Sequence, residues 1–541
     1  MISVLSTNIT SPLGFTTEEN YQAVLSGASA LKRYEGMWGL SEPFAASLFS
    51  EEQREALAID GYTFFEALAI RSIRTALTYT ILGNDFSRIV LILSTTKGDI
   101  GVSPSEAAQR IAEAIGLTTT PIVVCNACVS GLSAQLLANH LLSAGLYDYA
   151  IVVGAEVQSK FIVSGFQSLK AVSDEPCRPF DIERIGLNPG EAAATIIYAR
   201  EATEGAWHLI SGAACNDAYH IVSPSPRAEG QTKAIVAAMQ GWDKEQLATI
   251  CVHGTATLYN DQMEAKAIQA TGLEDVPLSA LKGYYGHTMG AAGVLETILT
   301  MRATDDGIVL ASKGFTELGV SGKLSISSKS QHTDKTSFLK LMSGFGGNNV
   351  AALYAKTAPF RENNCQLSIV NCQFKKTNTI RLSSKDGRSL TNIYKQEIGN
   401  YPKFYKMDIL TRLAFVAAEL LRQEVSPRGD LEGVCLFNHS SSLVADRQFL
   451  KTISDEKHFF PSPSLFIYTL PNITTGEIAI RHHLQGETSF YILPEKDEAL
   501  MLQILEATLK ATGAKSAISG WVDAESDTSF ECELSTYTIQ T

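Results

Sequence analysis

The sequence predicts an α/β fold assembled from more than one folded unit. Short apolar runs alternate with helical patterns up to about residue 356: RIVLIL, EAAQRIAEAI, PIVVCN, LSAQLLANHLLSAG and YAIVVGAEV follow one another. That alternation is the mark of strand–helix units. A second round runs from ATICVHGTAT to FLKLMSGFGGNNVAALYAK. The chain has 541 residues, several times the ~100–200 of an ordinary domain, so two or more cores are expected.

After the second round comes a polar stretch, TAPFRENNCQ (357–366), which reads as a linker, and then a third unit at 367–541. This unit repeats the element order of the N-terminus. MDILTRLAFVAAELLRQ precedes GVCLFNHSSS much as FFEALAIRSIRTAL precedes RIVLILSTTKG, and LMLQILEATLKATG precedes KSAISGWVDA as LSAQLLANHLLSAG precedes YAIVVGAEV.

Composition narrows the function. A hydrophobic share of 45% is that of a globular protein, and 44 Lys plus Arg against 57 Asp plus Glu leave a net charge of −13. With no basic run to offset it, that sign argues against nucleic acid as a partner. The start, MISVLSTNITSPLG, has no basic segment followed by an apolar one, and no apolar run approaches the ~18 residues of a membrane span, so a cytoplasmic protein is expected. The nine cysteines are scattered; Cys125 and Cys128 stand three apart but have no second pair to complete a zinc site, so a reducing compartment fits and a disulfide framework does not.

Three corners carry candidate chemistry. Cys128, in VVCNACVSGLSAQLL, sits where a β-branched run gives way to an amphipathic helix. A helix N-terminus favours the reactive thiolate there, although a lone cysteine is more often a small buried hydrophobe. His253 ends an apolar strand in CVHGTAT, a usual place for chemistry in an open α/β sheet. His287 lies in KGYYGHTMGAAG, where Gly286, Gly290 and Gly293 allow close backbone approach and a helix start. Either histidine alone reads as structural; two of them beside a cysteine at a third corner make a specific set.

These segments resemble the elongating β-ketoacyl-acyl-carrier-protein (ACP) synthases, the decarboxylating branch of the thiolase superfamily. The resemblance covers residues 1 to about 356, with SPLG, NACVSG, Gly165–Phe166 with CRPFD (Cys177 to Asp181), GLNPGEAAA, HGTAT, KGYYGHTMGAAG and GFGGNN in family order. It implies a five-layer αβαβα thiolase fold with duplicated mixed sheets, an N-half at about 1–200 and a C-half at about 205–356. The third unit would be a degenerate half of the same kind without a nucleophile, its matching stretch being FYILPEKDEA.

The resemblance further implies a decarboxylative Claisen condensation. Cys128 would hold an acyl thioester, and His253 and His287 would assist loss of carboxylate from malonyl-ACP. Lys282 matches the family lysine and Glu296 a supporting carboxylate. The backbone N–H groups of Cys128 and Phe345 would form an oxyanion hole, with Phe345 also matching a gating aromatic. No cofactor is implied, the substrates riding on the phosphopantetheine of acyl carrier protein. Such enzymes work as homodimers or as heterodimers with another ketosynthase-like subunit.

Departures are confined to substrate-facing segments. The cap before Cys128 is abbreviated to GVSPSEAAQRIAEAI, while a cap-like segment, Ser462 to Phe490, appears in the third unit; GEGAG has become GEAAA and HGTGTP has become HGTATL. The fused unit points toward bacterial polyenes, such as aryl polyene or flexirubin-type pigments, more than toward ordinary fatty acids. Cys128 argues against an inactive chain-length factor, and the histidine pair against a degradative thiolase or priming synthase. A scaffold that binds carrier protein and a partner synthase is the alternative, plausible for 367–541 only. No GxGxxG opens a helix, so a nucleotide-dependent oxidoreductase is unsupported.

Overall fold

The computed structural model describes residues 1–83, 85–356, 373–423, 433–526 and 528–539. The linker expected at 357–366 lies outside them. The main sheet has sixteen strands in three sets. The first set is β1 (Ile2–Thr10), β2 (Ile89–Ser94), β3 (Ile122–Val124), β4 (Tyr149–Glu156) and β5 (Ala192–Ala199). The second is β6 (His208–Asn216), β7 (Leu247–Cys251), β8 (Pro277–Ser279), the short edge strand β9 (Ser325–Ile326), β10 (Ser337–Gly344) and β11 (Asn348–Ala355). The third is β12 (Phe374–Ser383), β13 (Gly433–Asn438), β14 (Thr488–Ile492), β15 (Ser516–Ser526) and β16 (Ser529–Ile539).

All three sets share one topology. Their spatial orders are β3-β2-β4-β5-β1, β8-β7-β10-β11-β6 and β14-β13-β15-β16-β12. In each, the first three strands are parallel and the remaining pairings antiparallel. The parallel strands are buried on both faces, which is why RIVLIL and GVCLFN are continuous apolar runs without alternation.

The helices that matter are α1 (Phe64–Leu77), α2 (Ser130–Ser143), α3 (Glu229–Ala238), α4 (Leu258–Ala270), α5 (Ala292–Asp305), α6 (Ile409–Gln423), α7 (Leu443–Ile453), α8 (Pro463–Tyr468), α9 (Ile473–His482) and α10 (Glu498–Thr512). Helix α1 starts at a capping box, Thr63 with Glu66, and covers the outer face of β1, β4 and β5. Helices α2 and α5 each touch strands of the first and second sets, so they form the central layer of a five-layer αβαβα thiolase fold. Both are apolar nearly all round, as a helix walled in on every side must be.

Their contact depends on glycine. A Cβ at Gly293 would stand 2.5 Å from the Leu132 amide nitrogen, and one at Gly131 would stand 2.8 Å from the Gly290 carbonyl. The central helices therefore meet backbone to backbone. The third set joins the first through β14, which pairs antiparallel with β3 at Tyr491–Val124 and Ile492–Val123. Asn126 Oδ1 accepts the Phe490 N–H at 2.8 Å, and the Cys125 N–H donates to the Phe490 carbonyl at 3.2 Å. Across this seam α10 packs on α2, while α6 covers the opposite face of the third set.

Gly293→Ala is expected to part α2 from α5, at a cost of about 1–3 kcal/mol for an overpacked core. The check is a thermal melt, which should fall by several degrees, together with slower modification of Cys128. An unchanged melt would show that the two backbones do not approach so closely.

Candidate active site

Cys128 occupies a one-turn 3₁₀ segment, Ala127–Val129, between β3 and α2. Ser130 ties the turn down: its Oγ accepts the Asn126 N–H at 2.8 Å and donates to the Ala127 carbonyl at 2.6 Å. Ala127 is held at φ 49, a left-handed conformation that costs an L-residue about 1–2 kcal/mol. Ala256 (φ 62) and Met289 (φ 45) carry the same strain at the other two corners. HGTAT thus keeps the backbone shape for which a glycine in place of Ala256 would be better suited. Cys125 faces away from this turn, fully buried, with its thiol donating to the Thr96 carbonyl at 3.4 Å.

The His253 turn hangs on one helix. Glu264 of α4 accepts the His253 N–H at 2.7 Å and the Gly254 N–H at 2.8 Å, and Asp261 accepts the N–H groups of Thr255 (3.0 Å) and Phe180 (2.8 Å). Burial pushes Glu264 up to about 7 and Asp261 up to about 6. His287 is placed by its own N–H, which donates to the Asn188 carbonyl at 2.6 Å, and by its carbonyl, which accepts the Gly190 N–H at 3.0 Å. Its Nδ1 accepts the Met289 N–H at 3.3 Å, an arrangement that assigns the ring proton to Nε2. That Nε2 and the Nδ1 of His253 are buried without a hydrogen-bond partner among the described residues.

The three predicted residues converge. Cys128 Sγ and one ring nitrogen from each histidine all lie within 4.8 Å of one another, and the imidazoles meet edge to face with centroids 5.2 Å apart. Burial lowers both histidines well below their ordinary range, and the nearby Lys282 charge lowers them further, so both rings are neutral. Cys128 is half-buried at the start of the helix that sequence reading expects to favour its thiolate. Burial pushes its thiol up to about 12, outweighing the opposing influence of Lys282.

Lys282 and Glu296, matched separately in the sequence, meet behind His253. Lys282 Nζ donates to the His253 carbonyl at 2.6 Å and to Glu296 Oε1 at 2.7 Å. Sequence reasoning missed Lys340, whose Nζ donates to Glu296 Oε2 at 2.6 Å. Burial raises the Glu296 carboxyl, but the two ammonium groups outweigh it and hold it below its ordinary value. The signal for Lys340 was a single charge inside the apolar strand FLKLM. Glu264 and Asp261 were missed as well. So was Glu156, which accepts the N–H groups of Thr96 (3.0 Å) and Gly290 (2.9 Å) and joins the floor of the Cys128 pocket to the His287 turn.

Phe345 lies in the turn after β10. The turn passes close to Cys128, since a Cβ at Gly344 would stand 3.3 Å from the Cys128 amide nitrogen. The third unit reaches the same place. Asn472 donates to the Phe345 carbonyl at 2.8 Å, and Phe466 packs against Phe166 (centroids 5.2 Å) in space that any side chain at Gly165 would fill. Phe466, Thr469 and Leu470 line one cavity with Cys128, Phe166 and Phe345.

The same picture emerges from comparison with known proteins. The N-terminal domain of the beta-ketoacyl synthases matches residues 90–203 and their C-terminal domain residues 208–316. The chain is 28% identical to 3-oxoacyl-[acyl-carrier-protein] synthase 2 of Vibrio cholerae serotype O1, over 57% of this chain and 87% of that protein. It is 24% identical to the synthase of the same name from Staphylococcus aureus, over 64% and 96%. Among solved structures, a beta-ketoacyl synthase from Burkholderia phymatum superposes with a TM-score of 0.61 at 22% identity, covering 66% of this chain and 99% of that one. A PfaC keto synthase–chain length factor superposes with a TM-score of 0.78 at 12% identity, over 99% of this chain and 78% of that one. By these likenesses and the order of its motifs, residues 90–316 match the two domains of the beta-ketoacyl synthases, and the chain is an acyltransferase-type condensing enzyme similar to the 3-oxoacyl-ACP synthases.

Proposed function

We propose that the chain extends an acyl group held on Cys128 by decarboxylative condensation with malonyl-ACP. The observation that carries this reading is the Cys128, His253 and His287 cluster, with three reactive atoms within 4.8 Å and both imidazoles neutral. In the first step Sγ attacks the acyl thioester of a carrier protein. The phosphopantetheine carbon–sulfur bond breaks, and the proton lost by Cys128 ends on the departing sulfur. This thiol-for-thiol exchange consumes no base, so a protonated resting thiol is compatible with it.

In the second step the malonyl carbon–carboxylate bond breaks, carbon dioxide leaves, and its electron pair forms an enolate. Two neutral imidazoles donate N–H groups to that oxygen, and preorganised donors in a water-poor site are the strongest lever on such charge. The enolate carbon then attacks the acyl carbonyl on Cys128. The N–H groups of Cys128 and Phe345 hold the resulting oxyanion, the carbon–sulfur bond breaks, Cys128 leaves as a thiolate that takes a proton from solvent, and β-ketoacyl-ACP departs. Lys282, Lys340 and Glu296 act as positioning residues behind His253. No cofactor of the protein's own enters these steps.

Residues 367–541 stand in this reading as a fused partner-like half, catalytically silent because the turn between β14 and α10 carries no cysteine. The three-fold repetition of strand order and the seating of Phe466 and Asn472 against the Cys128 pocket support it.

Cys128→Ala is expected to abolish both acyl loading and condensation, read by intact-protein mass spectrometry, whereas Cys125→Ala should load normally. Acylation of the Cys128→Ala variant at another position would sink the assignment. His253→Ala or His287→Ala should slow malonyl-ACP decarboxylation by about 10²–10³ while sparing acylation far more; a wild-type decarboxylation rate in either would remove that histidine from the mechanism. Alkylation of Cys128 by iodoacetamide should rise about tenfold per pH unit from pH 7 to pH 10, because a thiol held up to about 12 stays protonated across that range. A plateau below pH 8 would show a low-pKa thiolate instead.

A further inference from the structure

We infer that a buried ion pair spanning the first and third units, Lys97 with Asp446, closes the acyl pocket and confines Cys128 to short acyl chains. The inference rests on the condensing reading above and adds what decides its substrate. Lys97 lines the same cavity as Cys128, Phe466 and Leu470, and that cavity has a volume of about 20 Å³. A space of that size holds about one water molecule, so an extended chain enters only if the wall moves.

The closure is a built structure. Lys97 follows β2, in a turn held by Glu156 on the Thr96 N–H and by Thr95 Oγ1 accepting the Gly98 N–H at 3.0 Å. Its Nζ donates to Asp446 Oδ1 at 2.6 Å, to Ser442 Oγ at 3.1 Å and to the Thr469 carbonyl. Both side chains are nearly sealed, 3% exposed for Lys97 and 6% for Asp446. Phe161 lies beside the ammonium at 5.6 Å, and Phe161 packs in turn on Phe449 and Phe466.

A methylene chain pushed past Lys97 would have to part these charges and the hydrogen bonds around them in a nearly sealed site, and separating a buried pair is far costlier than moving an apolar side chain. An aromatic or aliphatic wall yields by changing rotamer; this wall does not. The division of labour is specific: the first unit supplies the cation, and α7 with the segment before α9 supplies the anion and the carbonyl. The third unit thereby sets the length of chain that the first unit's nucleophile can hold.

The test uses the full chain and a ladder of acyl carrier proteins bearing saturated groups of two to twelve carbons, with loading on Cys128 read by intact-protein mass spectrometry and Cys128→Ala as the control for position. The wild type should load only the short members. Lys97→Met with Asp446→Leu replaces the pair by apolar groups, an exchange proteins often tolerate, and should raise the longest chain loaded by one or more two-carbon steps. Lys97→Met with Asp446→Asn keeps a polar group at 446 and serves if the first double variant does not fold; it should shift the ceiling in the same direction. Wild-type loading of long chains, or a ceiling unmoved in a folded double variant, overturns the ion pair as the stop. If the wild type loads no chain at all, the condensing reading fails first and this inference with it, an outcome distinct from an unmoved ceiling.

Discussion

The antiparallel pairing of β14 with β3 is the interaction on which the rest depends. Strand β3 has only three residues and leads directly into the nucleophile turn, so whatever pairs with it also positions Cys128. Here the pairing strand belongs to the same chain. The Asn126 side chain satisfies the Phe490 N–H just past the last paired residues, where the Cys128 turn leaves the sheet. A free β3 would be an unpaired edge beside a strained turn, which is the kind of edge folded proteins cover. With the seam closed, α8 and α9 come to rest over the pocket, and the cap missing from the first unit is supplied from about 340 residues later in the sequence.

Around that seam the catalytic corners are held mostly by buried carboxylates. Glu264, Asp261 and Glu156 each accept two backbone N–H groups at the corners where strands end. Burial raises all three and the backbone donors oppose that rise, so each turn keeps its shape while the carboxylate accepts. Glu296 is the exception, held ionised between two lysines. The result is a site whose reacting side chains, one thiol and two imidazoles, are all neutral at rest while the charges that orient them lie one layer behind. Such a layout suits a reaction in which negative charge appears transiently on substrate oxygens, because fixed donors need no reorganisation when it does.

Much of this was legible in the sequence because it is local. The alternation of apolar runs and helical patterns marks strand–helix units, and strand-turn-helix corners announce where chemistry can sit. Cys128, His253 and His287 could be named from their corners, and Lys282 and Glu296 from their spacing to His287 in the family pattern. The repeated element order of the third unit was visible too, since hydrophobic periodicity survives the loss of a nucleophile.

What only the tertiary structure decided are the contacts between residues remote in the chain. Nothing local says that Lys97 and Asp446, 349 positions apart, neutralise each other, or that Lys340 shares Glu296 with Lys282. The surroundings of the thiol lay beyond the sequence for the same reason: a helix terminus is a local feature, but desolvation is collective, set by Phe345, Phe466 and Met289, which line the Cys128 pocket from three separate segments. The sequence by itself determined the fold class, the corners and the reactive side chains, because periodicity and turn chemistry are written within a few residues. The depth of the pocket, the surroundings of Cys128 and the seating of the third unit against it were left to packing, because burial and charge pairing depend on which surfaces meet.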